Sequence, residues 1–172
     1  MTIMRRSSRI ALLALLSSLP IHAQVSQAGK SVLDGVLGGL EARREHYSDV
    51  AKQIWSFAEV GYQEQKSSAL LQSELAGAGF SVKSGVADIP TAFVASWGSG
   101  KPIIAIVGEF DALPGLSQDA VPTRQPLQSG AAGHACGHHL FGTASTAAAI
   151  AVKQWLESQH KTGTIRFYGT PA

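Results

Sequence analysis

Residues 133–139 read Gly-His-Ala-Cys-Gly-His-His, which gathers His134, the lone thiol Cys136, His138 and His139 in one short stretch. On a helix, residues two apart point to nearly opposite sides; on an extended or turning segment they project the same way. His134, Cys136 and His138 can therefore aim three donors at one place, and Gly133 and Gly137 leave the backbone free to bend around an ion. Thiolate with imidazole suits zinc and tolerates other divalent transition metals. Taken singly, Cys136 would be a small core residue, and each histidine a solvated loop residue. Their clustering favours a metal site. A second group, Glu109-Phe110-Asp111, follows the apolar run Pro-Ile-Ile-Ala-Ile-Val-Gly at residues 102–108. Open α/β sheets bind ligands just beyond the carboxyl ends of their strands. A carboxylate there can fix the tautomer of a ligating imidazole, and Asp111 is placed to do so for His138.

These residues need elements to position them. Leu33, Val36, Leu37 and Leu40, then Tyr47, Val50, Ile54, Trp55 and Ala58, recur at helical spacing. Gly35, Gly38 and Gly39 weaken the first half, so the helix is best supported over residues 40–58. Gly61 marks a break. Residues 64–77 form a second amphipathic helix with Leu70, Leu71 and Leu75 inward, ended by Gly77 and Gly79. Strands are expected at residues 80–83, 91–97 and 102–108, the last a continuous apolar run of the kind buried on both faces. A loop rich in Gly, Pro, Ser and Gln covers residues 113–137, long enough to suggest function. An alanine-rich helix at 143–157 and a strand at 164–169 follow. Helices alternating with strands predict an α/β fold, with helices packed on a largely buried mixed sheet.

Of 172 residues, 45% are hydrophobic and 15% charged, which excludes a disordered chain. Arg5, Arg6 and Arg9 stand in a segment that reads as a secretory signal: a basic start, the apolar run from Ile10 to Leu19, Pro20, and a small residue at Ala23. About 20 apolar residues are needed to span a bilayer, and this run is half that. The expected domains are thus a signal peptide at 1–23, with Ala28 the second-choice cleavage point, and an exported mature chain from 24 to 172. The net charge of +2 falls to about −1 without the three arginines, which argues against a nucleic-acid partner. One cysteine excludes an internal disulfide framework.

Five stretches together resemble a known family: WSFAEVGYQEQKSS at 55–68, PTAF at 90–93, GEFDALPGLSQ at 108–118, GHACGHHLFGTAS at 133–145 and IRFYGTPA at 165–172. In this order they are similar to the metallopeptidase family 20 amidohydrolases, the aminoacylase, hippurate hydrolase and indole-acetyl-amino-acid hydrolase group. GEFDALPGLSQ and CGHHLFGTA look most like the aminobenzoyl-glutamate hydrolase subfamily. The resemblance implies that Cys136 and His138 are ligands of a two-metal centre, zinc or manganese, with His134 a further candidate. Asp111 matches the acid that orients a ligand, and Glu109 takes the place a histidine holds in other members. Much of the cysteine-containing branch reads CGHDxH; here His139 and Phe141 stand in the last two ligand-like places, so His139 is not counted as a ligand.

The activity implied is hydrolysis of the amide bond of a small N-acyl or aminobenzoyl amino acid. Two divalent ions would activate a water and polarise the carbonyl, and a glutamate would carry the proton to the leaving amine. In the family a strand like IRFYGTPA leads into a Glu-Glu pair that supplies this base. Two later histidine ligands and a dimerising lid domain follow it, which implies a homo-oligomer. The 172 residues hold no match to these features, so the expectation is the N-terminal part of a larger enzyme. The alternative is a truncated remnant that at most binds a metal ion.

Overall fold

The computed structural model describes residues 27–171. The signal-peptide reading at residues 1–23 therefore lies outside the described residues. Three helices come first: α1 at Gln27–Glu41, α2 at Arg44–Phe57 and α3 at Gln65–Gly77. Strands β1 (Ser81–Ser84), β2 (Phe93–Ser99) and β3 (Ile103–Glu109) precede a long loop, α4 (His138–Ser158) and β4 (Gly163–Thr170). The described residues form an α/β layer of four helices and one four-stranded mixed sheet, in the order β1-β2-β4-β3. β1 with β2 and β2 with β4 are antiparallel, whereas β3 with β4 is parallel. Among the described residues no helix is long and apolar enough to cross a membrane.

Two expectations are corrected. The helix expected over residues 40–58 forms as α2, but the helical pattern that begins at Leu33 does not run into it unbroken. Arg43 donates its N–H to Leu40, three residues back, a 3₁₀-type turn that ends α1 before α2 begins. The stripe of Leu33 and Leu37 on α1 is not core, as these side chains are 51% and 52% exposed. β3 also differs. Its apolar run predicts burial on both faces, yet among the described residues β4 is its sole strand neighbour, and Ile103, Ile104 and Val107 are exposed. An apolar run needs cover on each face, and the described residues supply it only in part. α3 behaves as its pattern says: Leu71 and Leu75 are fully buried, and Leu70 packs at the edge of the core.

The core centres on a ladder of three buried aromatics. Phe93 of β2 stacks on Phe110 at 6.1 Å and on Phe167 of β4 at 5.6 Å. Burying a side chain of this size contributes about 1.5–3 kcal/mol. The ladder also aims the site. Phe110 points inward, so its neighbours Glu109 and Asp111 project to the other side of an extended backbone.

Close approach of α4 completes the arrangement. A Cβ at Gly142 would meet the Glu109 carbonyl oxygen at 2.7 Å and Leu71 at 3.0 Å. Only glycine lets the second turn of α4 press on the end of β3. That contact brings the first residue of α4, His138, over the acids of the β3 end.

Candidate metal centre

The site is built from the end of β3 and the start of α4. Oδ1 of Asp111 accepts from Nδ1 of His138 at 2.6 Å, and Oε2 of Glu109 lies 2.9 Å from Nε2 of the same ring. Asp111 is the buried member, its side chain 2% exposed, while Glu109 is 39% and His138 22% exposed. The donor atoms of Glu109, Asp111 and His138 lie within 4.8 Å of one another. Since a carboxylate only accepts, the Nδ1 facing Asp111 carries a proton, and Nε2 is the ring atom that faces Glu109. Either a cation or a proton on Nε2 can bridge the 2.9 Å between that nitrogen and Glu109. The convergence of these imidazole and carboxylate donors fits a divalent ion: Asp111 lies behind the ring, and Nε2 and Glu109 stand on the open side.

A small backbone clip holds this geometry. The Ala112 N–H donates to the Glu59 carbonyl at 2.7 Å, and Val60 pairs with Ala112 as a parallel bridge. Leu113 and Gly133 exchange two backbone hydrogen bonds, each 3.0 Å. The segments carrying Asp111 and His134 are thus registered against each other and against the end of α2. Gly133 is required by space, because a Cβ there would run into the Leu116 carbonyl oxygen. The obstacle is backbone, which cannot swing aside. Gly133→Ala should cost about 1–3 kcal/mol by overpacking, read as a lower urea midpoint. An unchanged midpoint would show that this loop yields freely.

The sequence-derived candidates separate in space. Asp111 and His138 come together. Cys136 is exposed on the turn before Gly137, outside the three converging donors. His134 faces away: its Nε2 donates to the Ile54 carbonyl at 3.0 Å, and its ring lies 4.9 Å from that of His139. Burial, chiefly, holds the His134 imidazole below its usual range. Burial, then the neighbouring His134, pushes His139 down to about 4. The Nδ1 atoms of both rings are buried without a hydrogen-bond partner among the described residues. Sequence reasoning sets Glu109 beside Asp111 at the strand end but does not count it among the metal-holding residues. The signal is there, because residues 109 and 111 lie two apart on an extended segment and share a face.

No family model matches the chain. Over 134 residues it is 53% identical to a subunit of p-aminobenzoyl-glutamate hydrolase of Escherichia coli, a match covering 77% of this chain and 28% of that protein. It is also similar to a solved dinuclear metal-binding peptidase of the M20 family from Bacillus subtilis. That likeness has a TM-score of 0.58 at 26% identity, covering 77% of this chain and 36% of the other. The matched segment belongs to the M20 peptidase and amidohydrolase family. A plant relative, IAA-amino acid hydrolase ILR1-like 5 of Arabidopsis thaliana, is 32% identical over 136 residues, 76% of this chain and 30% of its own length. The chain thus spans less than a third of the curated M20 relatives it matches.

Proposed function

We propose that the chain is the N-terminal part of an exported, metal-dependent amidohydrolase that cleaves N-acyl or aminobenzoyl amino acids. The observation that carries this reading is the Glu109–His138–Asp111 arrangement at the carboxyl end of β3. It stands in a segment similar to the p-aminobenzoyl-glutamate hydrolase subunit. His138 through Nε2, together with Glu109, would hold a zinc or manganese ion, with Cys136 on the adjacent turn as the thiolate donor the family resemblance implies. A divalent ion bound there lowers the pKa of a water and polarises the amide carbonyl. The protein's own part is orientation. Asp111 keeps the proton on Nδ1, and the partly exposed Glu109 faces the side from which a substrate would arrive.

The metal arm of this reading is tested by titrating zinc or manganese into chelator-stripped chain by calorimetry. Saturable uptake is expected, and heat no greater than dilution would overturn the reading. Cys136 offers a second measurement, because its thiol is exposed and open to alkylation. Bound zinc should slow labelling by iodoacetamide, since metal-bound sulfur loses its lone pair to the ion. Equal labelling with and without zinc would remove Cys136 from the ligand set.

Turnover of aminobenzoyl-glutamate by the 172-residue chain should stay below about 1 s⁻¹, the low end of typical enzyme rates. The reason is that no residue here matches the family's glutamate base, whose loss alone costs roughly 10²–10⁴. Chelator-sensitive turnover above that level would show that another group in this chain moves the proton. Export is tested separately, by N-terminal sequencing of the secreted chain. A start at Gln24 is expected, and an intact Met1 would overturn it.

A further inference from the structure

We infer that Glu59 is a positioning residue for the candidate metal centre, acting through the backbone of Ala112 on Asp111 and thereby on His138. The inference rests on the reading of that centre as a metal site only in its metal-binding arm.

Glu59 sits where three elements meet. Ala58, in the left-handed conformation at φ 45°, ends α2 and turns the chain so that residues 59 and 60 run beside Ala112. From there the Glu59 carboxylate reaches forward to the start of α3. Oε1 accepts the Lys66 N–H at 3.0 Å, and Oε2 accepts the Ser67 N–H at 2.9 Å and the Ser67 hydroxyl at 2.8 Å. The residue at the helix boundary, Glu64, makes no side-chain cap of its own. Glu59 therefore satisfies orphan N–H groups of α3 from outside the helix. The negative charge also meets the positive end of the helix dipole.

The other end of the same residue holds the site. The Glu59 carbonyl accepts the Ala112 N–H at 2.7 Å. Ala112 is bonded directly to Asp111, whose carboxylate holds His138 at 2.6 Å. With three bonds on its side chain and one on its carbonyl, Glu59 can shift only if α3 shifts with it. Its surroundings leave little slack, since Ser67 is fully buried and Ala112 is 2% exposed. Glutamine at 59 would turn an NH₂ group toward N–H donors, so one side of the cap would become repulsive. The 59–60 segment would then lose its anchor, and the Ala112 contact would loosen.

The experiment uses the whole chain and reads the Nδ1 proton resonance of His138 at fixed pH, assigned by its absence in His138→Ala. A proton held against a carboxylate at short distance resonates far downfield. In Glu59→Gln this signal should move upfield or broaden away by exchange. In Leu75→Val, which loosens the fully buried core face of α3 without touching residue 59, it should stay in place. A signal unmoved in Glu59→Gln overturns the inference, as does an equal shift in both variants, because the role would then be general stability. If Glu59→Gln does not fold, Glu59→Asp carries the same test, since the shorter side chain cannot span both bonds.

In the metal arm, Glu59→Gln should weaken zinc binding severalfold, short of the about 10–100-fold that changing the partner directly behind a ligand costs. Unchanged affinity overturns the inference. A wild-type chain that takes up no zinc defeats the metal reading, while the resonance still decides the positioning role of Glu59.

Discussion

Replacing His138 with alanine should abolish stoichiometric zinc binding, lowering affinity by more than about 100-fold. Changing a partner behind a ligand already costs about 10–100-fold, and His138 is the group on which both carboxylates converge. Its loss also leaves Glu109 and the buried Asp111 close together without the imidazole between them. Two carboxylates so placed repel. Asp111→Asn should behave differently. The amide keeps the size of the side chain but can present a donor to Nδ1, so the ring loses its fixed tautomer and affinity falls by about 10–100-fold. Calorimetric titration with zinc distinguishes the two. Affinity within about threefold of wild type in His138→Ala, well short of the loss expected at a ligand, would place the metal elsewhere.

The second large effect is expected in the core. Phe93→Ala should destabilise the fold by about 3–5 kcal/mol, the usual cost of truncating a buried aromatic. Phe93 is fully buried at the middle of the aromatic ladder and touches the rings on either side. Its ring also lies over Gly169, filling the space a Cβ there would take. Gly169 has no side chain that could collapse into the void. Domains of ordinary size are stable by only about 5–15 kcal/mol, so this one change removes a large share. Phe110 loses its stacking partner at the same time, and Phe110 is the anchor between Glu109 and Asp111. Urea unfolding followed by tryptophan fluorescence measures the loss. A change below about 1.5 kcal/mol, half the usual minimum for such a truncation, would mean that the ladder is not the core of this fold.

Much of this architecture can be read from local pattern. Residues 64–77 carry a leucine stripe bounded by glycines, and the helix forms there. Residues 164–169 alternate well enough to mark β4. The mixed sheet and the α/β class follow from the order of such elements. What the pattern leaves open is neighbourhood. The run at 102–108 says that β3 is apolar on both sides, but periodicity cannot say which strand lies beside it, and among the described residues only β4 does. Leu33 and Leu37 share this limit: helical spacing names a stripe without saying what covers it.

The site is legible in the same uneven way. Asp111 beside His138 follows from a carboxylate at a strand end and an imidazole shortly before an expected helix, although that helix begins at His138 itself rather than at 143. Cys136 and His138 are equivalent by spacing, yet Gly137 at φ 81° and the first turn of α4 send them to different surroundings. Glu59 gives no signal at all, because its importance lies in hydrogen bonds to residues seven, eight and more than fifty positions away.

The strand order also governs how the chain is made. β2 and β3 are neighbours in sequence but not in the sheet, for β4 lies between them and pairs with both. Of these four strands, residues 163–170 are the last to leave the ribosome and the ones on which the sheet closes. Until they emerge, β2 and β3 have no partner between them, and their apolar faces wait exposed. Pairings across so much intervening chain are slow because loop entropy is lost before any contact repays it. At synthesis rates of about 5–20 residues per second, the nascent chain spends several seconds in that open condition. The topology therefore builds in an interval during which a chaperone can reach the unpaired strands.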